Sequence, residues 1–296
     1  FGAEVILHGS GYDDAYQLSR QLQEEKGYAF IHAFDDPMVI AGQGTVGLEL
    51  LEQRPELDTV VVPVGGGGLV AGMAIALKIQ NPKLRLIGVE AEQMPGMKAS
   101  VEAGRIVTID RGNTIADGIA VARVGEHTFP IVERYVDDIV TVSEAEIANA
   151  IMLLLEYEKT LVEGAGAVGF AAIYNGKIPS IAGQNIGIVL TGGNIDMTFL
   201  STILERGLAK DGRLAKLSII APDKPSSIAE LTAIVANHRA NILQIVHNRT
   251  FTSANFRETE MEFLLETRGH EHVREVVDNI AQCGFQVKSQ LLPRMS

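Results

Sequence analysis

One stretch constrains this chain more than any other: VVPVGGGGLVAG, from Val61 to Gly72. Residues 60–64 form an unbroken apolar run rich in valine, which is typical of a strand covered on both faces of a parallel sheet. The apolar segment that begins at Leu69 has helical spacing. The four glycines between them can continue neither element, because glycine weakens strands and helices alike. The stretch therefore predicts a strand, a glycine loop and a helix.

The glycine loop, residues 65–68, has two interpretations. Without side chains, backbone N–H groups can approach an anion closely, and the N-terminus of the following helix favours a phosphate there. The alternative is a tight turn that binds nothing. Consecutive glycines carry a high entropic cost on folding, which favours the phosphate cradle. Neither dinucleotide spacing nor a Walker lysine accompanies the loop, so this stretch alone does not identify the ligand.

The composition limits the partners of the protein. The 296 residues are 46% hydrophobic, and the formal net charge is −12 with the basic residues scattered. This pattern argues against binding to nucleic acid or to a membrane and favours small-molecule partners. The single cysteine, Cys283, excludes an internal disulfide framework, and no Cys/His cluster has zinc spacing. We therefore expect a cytoplasmic protein.

Strands and helices alternate along the first 200 residues. We predict strands at residues 1–7, 28–32, 58–64, 84–92, 139–142 and 186–193, and helices at 13–26, from Pro37 through 45–53, at 69–80 and at 143–158. Such alternation indicates an α/β fold, with a parallel sheet and helices on both faces. Ligands of such sheets collect at the carboxyl ends of the strands, where Gly65 and Thr191 lie.

The pattern changes near Asp211. From there we predict a strand at 216–221, a helix at 226–238, strands at 241–250 and 258–267, a helix at 270–283 and a strand at 285–292. This order, βαββαβ, predicts a second, small α+β domain. Partial alternation in the strand at 258–267 predicts that one face of its sheet is covered and that the other can meet a partner.

Three further stretches are rich in glycine and alanine. They are TIADGIA (114–120), EGAGAVGFAA (163–172) and TGGNID (191–196). Each is compatible with close packing or with a narrow strand-to-helix turn. None of them alone indicates a ligand, although an acid, Glu163, stands just ahead of the second stretch.

Taken together and in order, these stretches resemble pyridoxal-phosphate enzymes of the tryptophan synthase β fold (fold type II), and among them the threonine dehydratases, also called threonine ammonia-lyases. The matching pieces are GAEVILHG, HAFDDPMVIAGQGT, VPVGGGGL, TIADGIA, VDDIVTVSE, EGAGA and TGGNID. The tail from residue 216 resembles an ACT domain, with DKPSSI at the place of the ligand loop. The resemblance implies the end of a smaller catalytic subdomain at 1–35, a large cofactor-binding catalytic domain at 36–210 and an ACT-like regulatory domain at 216–296.

The resemblance also implies residue roles. The loop amides would hold the phosphate of pyridoxal 5'-phosphate, Thr191 would face the pyridine nitrogen, and Glu163 would lie near the ring edge. The implied cofactor-binding residues are Gly65, Gly66, Gly67, Gly68, Leu69, Gly118, Glu163 and Thr191. The implied effector loop comprises Asp223, Pro225, Ser226, Ser227 and Ile228.

The chain departs from the family pattern at several points. The Schiff-base lysine of these enzymes lies upstream of the position that matches Phe1, so the catalytic residue is unknown here, and we expect the chain to be a fragment or an incomplete product. Serine racemases of the same fold bind a divalent cation through a Glu and an Asp six positions later. Here Glu90 is present, but the position six residues later is Gly96, so we predict no metal site. Ser226 stands where ACT ligand loops usually have glycine.

The resemblance implies a lyase of amino-acid metabolism. It would convert threonine, and also serine, to 2-oxobutanoate or pyruvate and ammonia, as in isoleucine biosynthesis. An amino-acid effector would regulate it allosterically, and it would be a homo-oligomer, a dimer or a tetramer. The alternatives are an amino-acid racemase of the same fold, which Gly96 and the ACT-like tail disfavour, and a non-catalytic amino-acid sensor, which the intact GGGGL and TGGN loops disfavour.

Overall fold

The computed structural model describes residues 2–9, 11–250, 252 and 254–291, excluding the side chains of residues 13 and 289–291. The chain divides into two compact units, Phe1–Ile195 and Asp196–Ser296. Each unit has its own buried apolar core. Among the described residues, no helix combines the length and the apolar character needed to span a membrane.

Unit 1 is built on a four-stranded sheet. Its strands are β1 (Thr59–Pro63), β2 (Arg85–Ala91), β3 (Asp138–Val142) and β4 (Ile186–Ile188), and its helices are α1 (Tyr12–Lys26), α2 (Pro37–Gln53), α3 (Gly68–Gln80), α4 (Gly96–Ala103), α5 (Thr128–Tyr135), α6 (Glu144–Leu153) and α7 (Gly164–Tyr174). All neighbouring strands are parallel, in the order β3-β2-β1-β4. The predicted parallel sheet is confirmed.

Helices cover both faces of this sheet, as predicted. Successive residues of a strand point to opposite faces. Val60 and Val62 of β1 belong to the core that contains Met73 of α3. On the other face, a Cβ added to Gly169 of α7 would lie 3.5 Å from the side chain of Val61. Because both faces of β1 are fully buried, its sequence does not alternate.

Several predicted elements differ from the structure. The strands predicted at 1–7 and 28–32 are wrong: the described residues of both segments are irregular, and residue 1 lies outside the description. A strand needs a neighbour to satisfy its backbone N–H and C=O groups, and neither segment pairs with a described strand. Leu7 is consequently 92% exposed. The strand predicted at 186–193 is shorter, and the helix predicted at 143–158 changes to a π-helical turn at Leu154–Glu158.

Unit 2 has the predicted βαββαβ order, preceded by one helix. The elements are α8 (Met197–Lys210), β5 (Leu214–Pro222), α9 (Ser226–Asn237), β6 (Asn241–Asn248), β7 (Glu258–Glu266), α10 (His270–Gln282) and β8 (Gln286–Leu291). The sheet is antiparallel, in the order β6-β7-β5-β8. Alternate residues of β7 face the core, where Phe263 packs with Leu217 of β5 and Val276 of α10. Residue 292, the end of the last predicted strand, lies outside the described residues.

The helices α2 and α3 touch through their backbones. A Cβ added to Gly72 would overlap the carbonyl oxygen of Ile40 and would lie 2.6 Å from the backbone nitrogen of Gly44. A Cβ added to Gly44 would lie 3.0 Å from the carbonyl oxygen of Gly72. Both partners are backbone atoms, which cannot rotate away. This contact therefore fixes the position of α3, which begins at the last residue of the glycine loop.

We predict that G72A destabilises the protein by about 3 kcal/mol, because the added methyl group must push two helices apart. The matched control is G42A on α2, where an added Cβ meets nothing within 4 Å. G42A should stabilise by roughly 0.5–1 kcal/mol, since alanine favours a helix over glycine. Urea denaturation followed by circular dichroism measures both. Equal stability of the two variants would contradict the close contact.

Candidate active site

A cavity of about 360 Å³ opens at the carboxyl end of β1. Its size lies within the roughly 300–1,000 Å³ of small-molecule sites. The structure brings all the predicted cofactor residues into its wall: Gly65, Gly66, Gly67, Gly68, Leu69, Gly118, Glu163 and Thr191. Residues that sequence reasoning did not single out complete the wall, among them Tyr12, Phe34, Gln43, Ile119 and Ala165.

The glycine loop has no room for side chains. Gly67 has a φ of 99°, which side chains rarely allow, and a Cβ on Gly65 would lie 2.9 Å from the Cα of Ile119. A Cβ on Gly66 would overlap the ring of Phe34. These neighbours explain why the loop consists of glycine.

The backbone N–H groups of Gly66 and Gly67 donate to no described residue, although both residues are buried. Buried N–H groups are almost always paired, because an unpaired one costs about as much as a lost hydrogen bond. The two amides therefore offer donors to a ligand in the cavity.

The glycine-rich stretches TIADGIA, EGAGAVGFAA and TGGNID meet around Glu163. Its backbone N–H donates to the carbonyl of Gly192 at 3.0 Å, and its Oε2 accepts from the backbone N–H of Asn194 at 3.1 Å. A Cβ on Gly118 would lie 3.1 Å from the Cβ of Ala165. Glu163 thus joins the start of α7 to the turn that follows Thr191. Thr191 is exposed on the wall of the cavity.

Comparison with known proteins identifies the family of this fold and cavity. Residues 1–192 match the family described as "PALP: Pyridoxal-phosphate dependent enzyme". The chain is 46% identical to an L-threonine ammonia-lyase of Geobacter sulfurreducens and 45% identical to one of Thermotoga maritima, in each case over 97% of this chain and 71% of the relative. The chain belongs to the pyridoxal-phosphate dependent enzymes.

Solved structures of the family have the same fold. The chain is 45% identical to a threonine deaminase of T.th., with a TM-score of 0.61 over 66% of this chain and 65% of that one. It is 38% identical to maize serine racemase, with a TM-score of 0.63 over 70% of this chain and 64% of that one. The chain therefore spans slightly less than two thirds of the length of these solved relatives.

The cavity fits the cofactor of this family. The unpaired amides of Gly66 and Gly67 suit a phosphate, the apolar side chains of Leu69 and Ile119 suit a ring, and the hydroxyl of Thr191 can meet a ring nitrogen. No lysine is among the described residues that line the cavity.

Glu90 stands where serine racemases carry the glutamate of their cation site, a site that we predict to be absent here. Its carboxylate faces backbone N–H groups. It is 1% exposed, and its two carboxylate oxygens accept from the backbone N–H groups of Met97 and Lys98, each at 2.8 Å. The carboxylate thus caps the first turn of α4, a role that we did not predict. Within the described part of the chain, no group of three or more His, Cys, Asp and Glu side chains could hold a metal ion.

Burial raises the pKa of Glu90 to about 7, although the amides of Met97 and Lys98 act to lower it. The folded protein therefore keeps this proton at pH values where the unfolded chain has lost it. For this group, the free energy of unfolding falls as the pH rises from about 4.5 to about 7.

We predict that E90Q, which has no such proton to lose, removes this dependence. Relative to E90Q, the wild type should lose about 3 kcal/mol of stability between pH 4.5 and pH 8. Urea denaturation across this range measures the difference. E92Q, at an exposed position nearby, controls for the loss of one carboxylate from the net charge. Parallel profiles of wild type and E90Q would show that Glu90 titrates normally.

The predicted effector loop lies in unit 2, between β5 and α9. The hydroxyl of Ser227 is buried and donates to the carbonyl of Pro222 at 2.7 Å, which closes the loop on itself. Asp223 forms an ion pair with Arg249 at 3.1 Å. Pro225 is the N-cap residue of α9, and Ser226 and Ile228 lie in its first turn.

Proposed function

We propose that the complete protein is a pyridoxal-phosphate dependent threonine ammonia-lyase. It converts threonine, and also serine, to 2-oxobutanoate or pyruvate and ammonia. The observation that carries this proposal is the cavity itself, where buried unpaired amides of the glycine loop stand beside Glu163 and Thr191. The 46% and 45% identity to two L-threonine ammonia-lyases supports the substrate.

The residues of the chain would hold the cofactor at two places, its phosphate and its ring nitrogen. The N–H groups of Gly66 and Gly67 bind the phosphate, and Glu163 holds the turn of Thr191 against the start of α7. Pyridoxal phosphate supplies a ring that stabilises negative charge at the α-carbon of an amino acid. The Thr191 hydroxyl is neutral, so it does not hold a proton on the ring nitrogen as a carboxylate would. A ring nitrogen without that proton would favour loss of the β-hydroxyl group over slower competing reactions.

We propose that the lysine that holds the cofactor aldehyde comes from a part of the complete protein outside residues 1–296. The lysines that the structure describes have other partners or lie elsewhere. The ammonium group of Lys78 lies 2.6 Å from a carboxylate oxygen of Asp137 and 2.7 Å from the carbonyl oxygen of Leu84. Lys159 donates to the carbonyl oxygen of Glu156.

The test is to incubate the complete protein with threonine and the cofactor and to measure 2-oxobutanoate and ammonia. G66D should lose at least about tenfold in cofactor affinity by equilibrium dialysis, because its Cβ overlaps the Phe34 ring and its carboxylate repels the phosphate. The matched control is G42D, where the added side chain meets open space. Circular dichroism verifies that G66D is folded. Racemised threonine without keto acid, or unchanged cofactor affinity in G66D, would overturn the assignment.

We further propose that residues 216–296 form an ACT-like regulatory domain. The βαββαβ order and the first turn of α9, whose N–H groups can face a carboxylate, support an amino-acid effector such as isoleucine or valine. Ser226 stands where the ligand loops of ACT domains usually have glycine, and we expect its side chain to narrow the loop. Exposed apolar residues on α2 and α3, among them Met38 and Ile79, support a homo-oligomer, a dimer or a tetramer. The single, free Cys283 supports a cytoplasmic location.

Titration of the complete enzyme with isoleucine or valine tests this regulation. We expect a change in activity or in sedimentation coefficient, and we expect it to vanish when residues 196–296, the whole of unit 2, are removed. S226G should strengthen the response by widening the loop. A response that survives the deletion would place the effector site elsewhere, and a monomer at all concentrations would contradict the oligomer.

A further inference from the structure

Asp35, in the HAFDDP stretch, holds a distant segment of the chain. One carboxylate oxygen accepts from the backbone N–H of Glu126 at 2.8 Å, and the other accepts from those of His127 and Thr128, at 2.8 and 3.3 Å. These amides precede or begin α5, whose own N-cap residue, His127, forms no side-chain cap. The side chain of Asp35 is only 13% exposed. Asp35 is therefore the cap of a helix that lies more than 90 residues away in sequence.

The segment that Asp35 holds in turn contacts the glycine loop. The hydroxyl of Thr128 donates to the carbonyl oxygen of Gly66 at 2.7 Å, and the backbone N–H of Gly125 donates to the same oxygen at 3.2 Å. Thr128 is fully buried. A Cβ on Gly67 would lie 2.8 Å from the Thr128 hydroxyl oxygen, so the fit leaves no free space.

These two hydrogen bonds also orient an amide of the cradle. The peptide group between Gly66 and Gly67 is planar and trans, so its N–H points opposite to its carbonyl oxygen. With the Gly66 carbonyl directed at the first turn of α5, the Gly67 N–H points away from α5. This N–H has no partner among the described residues.

We propose that Asp35 is a positioning residue for the phosphate cradle: through Thr128 and Gly125 it fixes the Gly66–Gly67 peptide, and with it the direction of the Gly67 N–H. The inference rests on the proposed cofactor site and adds to it a chain of contacts from Asp35 to the phosphate. Asp35 does not line the cavity, so it would act only through the segment that contains Gly125 and Thr128.

Two roles of Asp35, as a nearby negative charge and as a positioning residue, predict opposite effects of D35N on phosphate binding. As a carboxylate near an anion site, it would repel a phosphate, and D35N would strengthen phosphate binding. As a positioning residue it keeps the cradle in place, and D35N weakens binding, because an amide nitrogen then faces one of the three N–H donors. Burial alone would raise the pKa of Asp35, but the amides of His127, Glu126 and Thr128 outweigh it and lower the pKa. The carboxylate is therefore ionised at neutral pH.

The experiment measures binding of pyridoxine 5'-phosphate and of pyridoxine to the complete protein, freed of its own cofactor, by equilibrium dialysis. Neither probe carries an aldehyde, so no lysine adduct contributes, and the ratio of the two affinities isolates the phosphate. D35N and T128V should each lower this ratio by about tenfold, the effect of one well-placed hydrogen bond to a charged group. T128S keeps the hydroxyl group and should restore the ratio to within about twofold of the wild type.

D36N is the matched control. Asp36 caps α2 through the N–H groups of Met38 and Val39, at 2.8 and 3.2 Å, and has no described hydrogen bond to α5. It should change thermal stability as D35N does but leave the ratio unchanged. An unchanged or increased ratio in D35N, or a T128S variant as weak as T128V, overturns the positioning role while the cofactor site stands. A wild-type chain that binds both probes equally overturns the cofactor site as well.

Discussion

The close fit around the glycine loop is the constraint on which unit 1 depends. Phe34 lies over Gly66, Ile119 lies against Gly65, and Thr128 lies behind Gly67, each too near for an added Cβ. Four consecutive glycines raise the entropic cost of folding. The buried valines of β1 and the apolar residues of α3, which the loop connects, offset that cost. The loop is therefore ordered by the core on both sides of it, and the hydrogen bonds to the Gly66 carbonyl then set the direction of its amides.

Close contacts between a glycine and a neighbouring backbone segment recur at other places in the cavity wall. A Cβ on Gly164 would overlap the carbonyl oxygen of Ile115, and one on Gly166 would lie 3.2 Å from the carbonyl oxygen of Gly192. The small residues of the three glycine-rich stretches thus let separate backbone segments converge within a few ångströms. Close packing and the cavity wall need the same small residues. The packing interpretation of these stretches therefore does not exclude the ligand-binding one.

Local signals in the sequence were sufficient for β1, the glycine loop and α3, because strand, loop and helix follow one another directly. Resemblance to a family, rather than local signals, gave eight members of the cavity wall, and it missed Tyr12, Phe34 and Gln43. Whether residues 1–7 and 28–32 form strands could not be decided from their own sequence, because a strand needs another segment to pair with. The partners of Asp137, at the turn before β3, could not be predicted for the same reason, because both lie more than 50 residues away in sequence.

Asp137 shows how α3 is fixed at its far end. One of its carboxylate oxygens accepts both from the ammonium group of Lys78, at the end of α3, and from the backbone N–H of Leu86 in β2, at 2.7 Å. The Lys78 side chain is 13% exposed and that of Asp137 is 41% exposed, so water screens this pair in part. The helix is thus tied to the sheet at its C-terminus, and its N-terminus is tied through the glycine loop. A phosphate bound there would rest on an element whose two ends are fixed, and rigid elements hold a ligand more accurately than free loops do.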